Sequence, residues 1–495
     1  MRRKFCNPML PGVLKPILEI EIPRNSRARI YPTMIALQEV YRRKPEIVDL
    51  VFDDLLRDYS YSSNDLIDPI LAELLPPSTN MAVETFESEV GAPGMTAWQC
   101  LVAVALSQAT NSTYDDLEVH FNQNQLLREF CEIPKLDHSS FSESRLGKNC
   151  RKISPETIKA INQAVVDISI DIGVENGKEV RGDSFCCKTN IHHPSDTKAI
   201  EEACNKVISI CTRDENLMSG WRQHNHWKKQ IKKLVRELIQ AKRSKKRDKE
   251  AKSSSIKLAY KELIDVARKI QEKSFRSWEG MTDFSDIEEL GYYMCCLEMM
   301  IDLAERRTQN HELIESSEKT FSIFEPHTEL IHRGKFPTPI EYGHRVFIAE
   351  GKSGMILDHR VMENGVLDQH ETRPILERLC ARYGNLEVLS LDKGYNIKGF
   401  NPHEEDGVSL FALPSKGYKN KIKKEMESTE EFVEARKWRA GVESCIGALM
   451  RGNGADLCRD KHVRGYRRWV SACVLSRNLI TLGRILVSNE LQKAA

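Results

Sequence analysis

Residues 177–194, GKEVRGDSFCCKTNIHHP, decide how the rest of this chain is read. Apolar and β-branched types gather near the middle and a proline closes the run, which predicts a strand between two helical regions. Asp183 lies inside that strand, where an ionised carboxylate is costly if it is buried without a partner. A strand carrying an acid in its apolar stretch is therefore the first candidate for a chemical site.

On the N-terminal side the pattern is helical. Residues 35–75 place apolar side chains at three- and four-residue steps, and the break LLPPSTN ends them. GAPGMTAWQCLVAVALSQATN at 91–111 predicts an apolar helix, and Ser154-Pro155-Glu156 gives the next long helix an N-cap and a first-turn proline. On the C-terminal side, 198–320 reverts to helix. It includes the charged run 227–270, whose Glu and Lys interleave at helical spacing without a sustained heptad, so an antiparallel helical insertion is expected.

Beyond Thr320 the pattern alternates. HRVFIAEG (344–351) and GMILDHRVM (354–362) predict a β-hairpin. A helix follows from Asp368, with Glu371 as the far half of a capping box, and Gly384 ends it. LEVLSL (386–391) predicts a buried strand delivering Asp392 at its C-terminal end, where ligands collect in sheets covered by helices. VSLFALPS (408–415) is another strand. The segment 431–451, EFVEARKWRAGVESCIGALMR, reads as one helix with Glu443 facing the core and Arg439 four residues before it on the same face. The expectation is a mixed α and α/β fold with a mixed five-stranded sheet. It divides into an N-terminal helical domain at 1–175, a sheet-containing domain at 176–197 and 321–485, and a helical insertion at 198–320.

Composition narrows the class. The 73 Lys and Arg nearly balance the 72 Asp and Glu, for a net charge of +1, but basic residues crowd 228–252 and 451–468. Nucleic-acid binding needs a local positive surface and not a positive total, so the balance does not exclude it. The 14 cysteines form no C-x-x-C pair, which argues against a zinc ribbon and for small apolar residues in a reducing compartment. No uninterrupted apolar run approaches the roughly 18 residues of a membrane span, and prolines break the basic N-terminus, so a cytoplasmic protein without membrane contact is expected.

Three carboxylates from separate elements, Asp183, Asp392 and Glu443, offer the hard oxygen donors that two divalent ions need to act on a phosphodiester. On spacing alone any three acids could be picked. The strings around them carry more. EVRGDSFCCKTNIHHPSDT (179–197), LSLDKGYN (389–396) and WRAGVESCIGALMRG (438–452), in that order, resemble the three catalytic blocks of bacterial insertion-sequence transposases of the DDE superfamily. The segments 327–346 and 91–121 are similar to further parts of that group. Many of its members have a tyrosine three residues before the arginine and a lysine seven after the glutamate, where this chain has Arg436 and Met450.

The resemblance implies a ribonuclease H-like core and two Mg²⁺ or Mn²⁺ ions on Asp183, Asp392 and Glu443. It also implies cleavage at transposon ends and strand transfer into target DNA. The partners implied are terminal inverted repeats and target DNA, bound by a homodimer or higher oligomer. Alternatives are a nuclease on the same fold and a catalytically silent DNA-binding protein derived from a transposase. Candidate phosphate-binding residues are Arg439, Lys393, Arg451, Lys228 and Lys229. Arg467 and Arg468, beside Trp469, are expected on the exposed face of the last helix, and His192 and His193 are expected to fix the strand exit by local bonding.

Overall fold

A computed structural model describes residues 27–56, 95–133, 140–213, 215–243, 249–315, 318–332, 339–362, 365–397, 407–419 and 421–494. The helical reading between 57 and 75, the break after it and the 244–248 part of the basic run lie outside the described residues. So do the N-terminal 26. The described residues form two compact units, one from 27–56, 95–189 and 343–494, the other from 190–342.

The fold is mixed and mostly helical, with one mixed sheet. Its strands are β1 (Glu179–Thr189), β2 (Glu329–His332), β3 (Ile340–Gly351), β4 (Ile356–Val361), β5 (Leu386–Ser390), β6 (Val408–Ala412) and β7 (Leu457–Cys458). Seven strands replace the expected five, in the order β2-β3-β1-β5-β6, with β4 on β3 and β7 on β1. The addition includes β7, only two residues long and paired to Lys188 and Thr189, which has no alternation for a sequence to show. β1 runs antiparallel to β3 and parallel to β5, and β5 runs parallel to β6. The hairpin β3–β4 forms as its turn residues predict: Gly351 N–H donates to the Met355 carbonyl, and Gly354 takes φ +85°, which glycine tolerates.

The N-terminal helices share the first unit, and one hydrophobic cluster, with the sheet. The helix Pro155–Asp171 starts as read: Ser154 Oγ accepts from Thr157 N–H, and Pro155 occupies the first turn. The C-terminal helix His462–Ala494 packs on Pro155–Asp171, Arg27–Arg43 and Ala97–Thr110. By length and composition its His462–Gln492 portion would suffice to cross a membrane, yet 67% of its most apolar window is buried inside the fold, as in a core helix. Asn478 on this helix is fully buried and bonds both the N–H and the carbonyl of Ile356 at 2.8 Å, tying the helix to β4. The described cysteines are all free thiols, most of them buried.

At Gly483 the C-terminal helix lies close against Pro32 of the helix Arg27–Arg43. A Cβ there would fall on the Pro32 carbonyl oxygen, a backbone atom that cannot rotate away. Gly483→Ala is expected to cost about 1–3 kcal/mol by forcing the helices apart. A urea midpoint within error of wild type would show that the packing there is slack.

His359 on β4 is buried and bonded to Ser471 Oγ at 2.9 Å. Burial pushes its imidazole down to about 4, with nearby Asp358 opposing, so the folded protein keeps it neutral. The unfolded chain binds this proton near pH 6.5 and the folded chain only near 4, so His359 makes stability fall as pH drops between those values. The loss expected across that window is about 3 kcal/mol. Denaturant titrations should therefore give a flatter pH dependence for His359→Gln, and an unchanged slope would exclude His359 as the cause.

Candidate functional site

The parallel β1–β5 register pairs Arg181 with Ser390. Two residues further along both strands, Asp183 and Asp392 reach the same level, although β5 has ended and its chain turns into the short 3-10 segment Lys393–Tyr395. Asp392 sits at the cap of that turn in an extended conformation, and its carbonyl accepts from Tyr395 N–H at 3.0 Å. The two carboxylates thus come together beside the C-terminal end of β5, a place to which ligands come in such sheets, while β1 continues to Thr189.

Arg439 holds the pair. Its Nη1 lies 2.7 Å from Asp183 Oδ2 and its Nη2 lies 3.9 Å from Asp392 Oδ1. The other Asp183 oxygen accepts from Ser184 N–H at 2.8 Å. Asp183 is 22% exposed and Asp392 46%, so the first carboxylate is much the more strongly desolvated. Burial raises the Asp183 pKa above the usual aspartate value. The Ser184 N–H and Arg439 pull it back, and the charges of Asp392 and Asp368 push it up again.

Asp368 is the site residue that sequence reading misses. The capping-box pattern assigns it to its own helix with Glu371, but Leu367 occupies the cap position and Asp368 is the first helical residue. Its Oδ1 accepts from Ser184 Oγ at 2.9 Å and lies 4.0 Å from Arg345 Nη1. Glu371 is instead buried against Arg360 and Arg378. An acid at a helix start reads as a cap in any sequence, so only the tertiary pairing separates the two roles. Tyr395, buried beside these acids with its ring 5.9 Å from Phe347, has its phenol pushed up by burial first and then by the charge of Asp368.

Glu443 corrects two expectations. Arg439 and Glu443 do not share a helix: Glu430–Arg439 ends, Ala440 and Gly441 turn, and Val442–Asn453 begins. Arg181 fixes the break. Its Nη1 donates to the Trp438 carbonyl at 2.7 Å, its Nε bonds Glu350 at 2.7 Å, and its guanidinium lies over the Trp438 ring at 5.0 Å. A Cβ at Gly441 would meet that guanidinium, so a larger residue there would require Arg181 to shift. The second helix buries Val442, Cys445 and Leu449 with Phe185 and Cys187 of β1, the strand face to which Asp183 also belongs. Glu443 is in its first turn, exposed and not core-facing, with no side-chain hydrogen bond or ion pair among the described residues. An acid there complements the helix dipole whatever else it does.

The remaining candidates scatter. Lys393 is exposed beside Asp392, and Arg451 is exposed on the helix of Glu443. Lys228 and Lys229 belong to the second unit, on the helix His224–Arg243. His193 is exposed and makes the expected local bond, its Nδ1 3.2 Å from the Pro194 carbonyl. Arg468 is not exposed: it is buried, ion-paired to Asp460 and bonded to the Cys150 carbonyl at 3.0 Å. Arg467 is exposed as expected, and Trp469 is buried.

In kind, the oxygens of Asp183 and Asp392 suit a hard divalent cation such as Mg²⁺ or Mn²⁺. In arrangement the fit stops at that pair. Among the described residues no group of three or more His, Cys, Asp and Glu is set to hold a metal ion. The positive charge between the two aspartates is the Arg439 guanidinium. No family model, no curated protein and no solved structure matches this chain.

Proposed function

We propose that this chain is a DDE-type transposase that cleaves DNA at the ends of a mobile element and transfers the strand to target DNA. The observation carrying the reading is the β1–β5 register. It brings together Asp183 and Asp392, two acids far apart in sequence, chosen from strings that resemble the family's catalytic blocks. The strand path β4-β3-β1-β5-β6, with β3 alone reversed, is the arrangement expected of a ribonuclease H-like core and supports the same reading.

Within this reading Asp183 and Asp392 would hold divalent cation, while Glu443 stands exposed in the first turn of the helix covering the β1 face, outside that pair. A cation held there would serve to activate a water or 3′-hydroxyl and to offset charge on the scissile phosphate. Arg439 orients Asp183 and offsets the charge of the two aspartates. Ser184 donates to Asp368 beside them, tying the middle of β1 to the start of the helix Asp368–Tyr383. The exposed position of Glu443, outside the Asp183–Asp392 pair, favours as second reading a transposase-derived protein that binds DNA without cutting it.

The deciding experiment is cleavage of DNA carrying the element's ends with Mg²⁺ or Mn²⁺, comparing wild type with Asp392→Asn. Metal-dependent nicking that disappears in the variant supports the transposase. Binding without cleavage by either protein supports the silent DNA binder, and cleavage unaffected by the substitution rejects Asp392 as a site residue.

A further inference from the structure

The helix His224–Arg243 in the second unit carries seven Lys and Arg against one acid, Glu237. Ile231, Leu234, Val235 and Leu238 are its buried face. At 3.6 residues per turn, Lys228, Lys229, Lys232, Lys233, Arg236 and Arg243 fall together on the other side. All but the half-buried Lys228 are exposed.

Charge runs on helices are commonly solvated faces, and two observations set this one apart. First, several basic residues elsewhere in the unit are matched, although others among the described residues, Lys261 and Lys269 included, are not. Lys206 bonds Glu289 at 2.6 Å, Arg268 bonds Glu305 at 2.8 Å, Arg306 bonds Glu318 at 2.9 Å and Arg307 bonds Asp196 at 2.6 Å. On the stripe only Lys233 approaches an acid, 3.8 Å from Glu237 with both side chains largely in solvent. Lys228, Lys229, Lys232, Arg236 and Arg243 have no ion pair or hydrogen bond among the described residues.

Second, the stripe opposes its own helix. Lys228 and Lys232, Lys229 and Lys233, and Lys232 and Arg236 are like charges four residues apart, an arrangement that destabilises helices. A local rule broken without internal compensation points outward, to a partner.

We propose that this stripe binds the phosphate backbone of duplex DNA without reading base sequence. From Lys228 to Arg243 it extends about 22 Å at ~1.5 Å per residue. Duplex DNA presents about one negative charge per 1.7 Å of axis, and its major groove, about 12 Å wide, admits a helix. No aromatic ring stands on the stripe to stack an unpaired base, since Trp227 packs edge-on against Trp221 at 5.4 Å; this favours duplex over single strand. The choice of DNA over another polyanion rests on the function proposed above.

The test uses the full chain and a fluorescent duplex of arbitrary sequence, with anisotropy read in EDTA between about 50 and 200 mM salt. Lys229→Gln, Lys232→Gln, Lys233→Gln and Arg236→Gln are combined in one variant. Lys261→Gln with Lys269→Gln, exposed on the helix Lys249–Trp278, serves as the control. The combined variant is expected to weaken binding at least tenfold. Its slope of log K against log salt should fall by about 0.9 for each phosphate it no longer neutralises. The control should bind as wild type does. The combined variant's melting temperature should hold or rise, because repulsion is relieved.

A combined variant with wild-type slope and affinity overturns the proposal, as does a wild-type protein with no salt-dependent binding. A single-stranded competitor that displaces the duplex as well as unlabelled duplex does overturns the choice of partner. With EDTA present the measurement is blind to cleavage, so failure of the stripe and failure of the carboxylate site are read separately.

Discussion

Asp183→Asn is expected to abolish metal-dependent DNA cleavage, lowering its rate by at least about a hundredfold, or ~3 kcal/mol of transition-state stabilisation. Asparagine keeps the side chain's shape and an oxygen for the Ser184 N–H, but it removes the charge that pairs with Arg439. The consequence for folding is smaller because two effects oppose. Burial disfavours ionised Asp183, and the substitution relieves that. Arg439 in turn loses its closest partner and keeps Asp392 at 3.9 Å.

The direction of the Asp183 shift adds a pH signature. A carboxylate whose folded pKa is raised holds its proton better in the folded state. It therefore favours folding at low pH, and that contribution is lost as pH rises through the folded pKa. Cation must displace the proton, so Mn²⁺ affinity should decline, as pH falls, from a higher pH than for an ordinary aspartate. Mn²⁺ binding followed by electron paramagnetic resonance, with wild type and Asp183→Asn, measures both expectations. Equal affinity in the two proteins would remove Asp183 from the site.

Arg468→Ala is expected to be the most destabilising single substitution proposed, at about 3–5 kcal/mol. The guanidinium and the Asp460 carboxylate are both buried, and Arg468 also bonds the Cys150 carbonyl. Truncation leaves a buried aspartate without its cation and a buried carbonyl without its donor. A variant that removes both charges, Arg468→Met with Asp460→Leu, is expected to recover most of the loss, because the cost lies in the uncompensated charge. Urea unfolding of the three proteins measures this, and an Arg468→Ala midpoint close to wild type would refute it. Failure of Arg468→Ala to bind DNA would accordingly report unfolding and not a missing phosphate ligand.

Helix and strand positions are legible wherever periodicity or punctuation is strong. Ser154-Pro155 starts its helix, Gly384 ends another, and the β3–β4 hairpin forms about its glycines. The reading fails where one side chain has two local meanings. Asp368 and Glu371 spell a capping box, and Arg439 and Glu443 spell an i, i+4 pair, but in each case a distant residue competes and wins. Ser184 takes Asp368, Arg360 and Arg378 take Glu371, and Asp183 takes Arg439. Arg467 and Arg468 are adjacent in sequence, yet only Arg468 meets a buried acid.

The sequence by itself determined the local elements, because capping, glycine conformations and apolar periodicity act within a few residues. It also placed Asp183 within a strand and Asp392 just past the end of another. Tertiary structure alone decided that these acids meet, since strand register is set by packing across more than 200 residues of intervening chain. It alone decided that Arg181 breaks the Glu443 helix, that Asp368 joins the carboxylates and that Arg468 is buried. Each depends on a long-range electrostatic or steric partner, and no spacing along the chain encodes the distance between two charges brought together by folding.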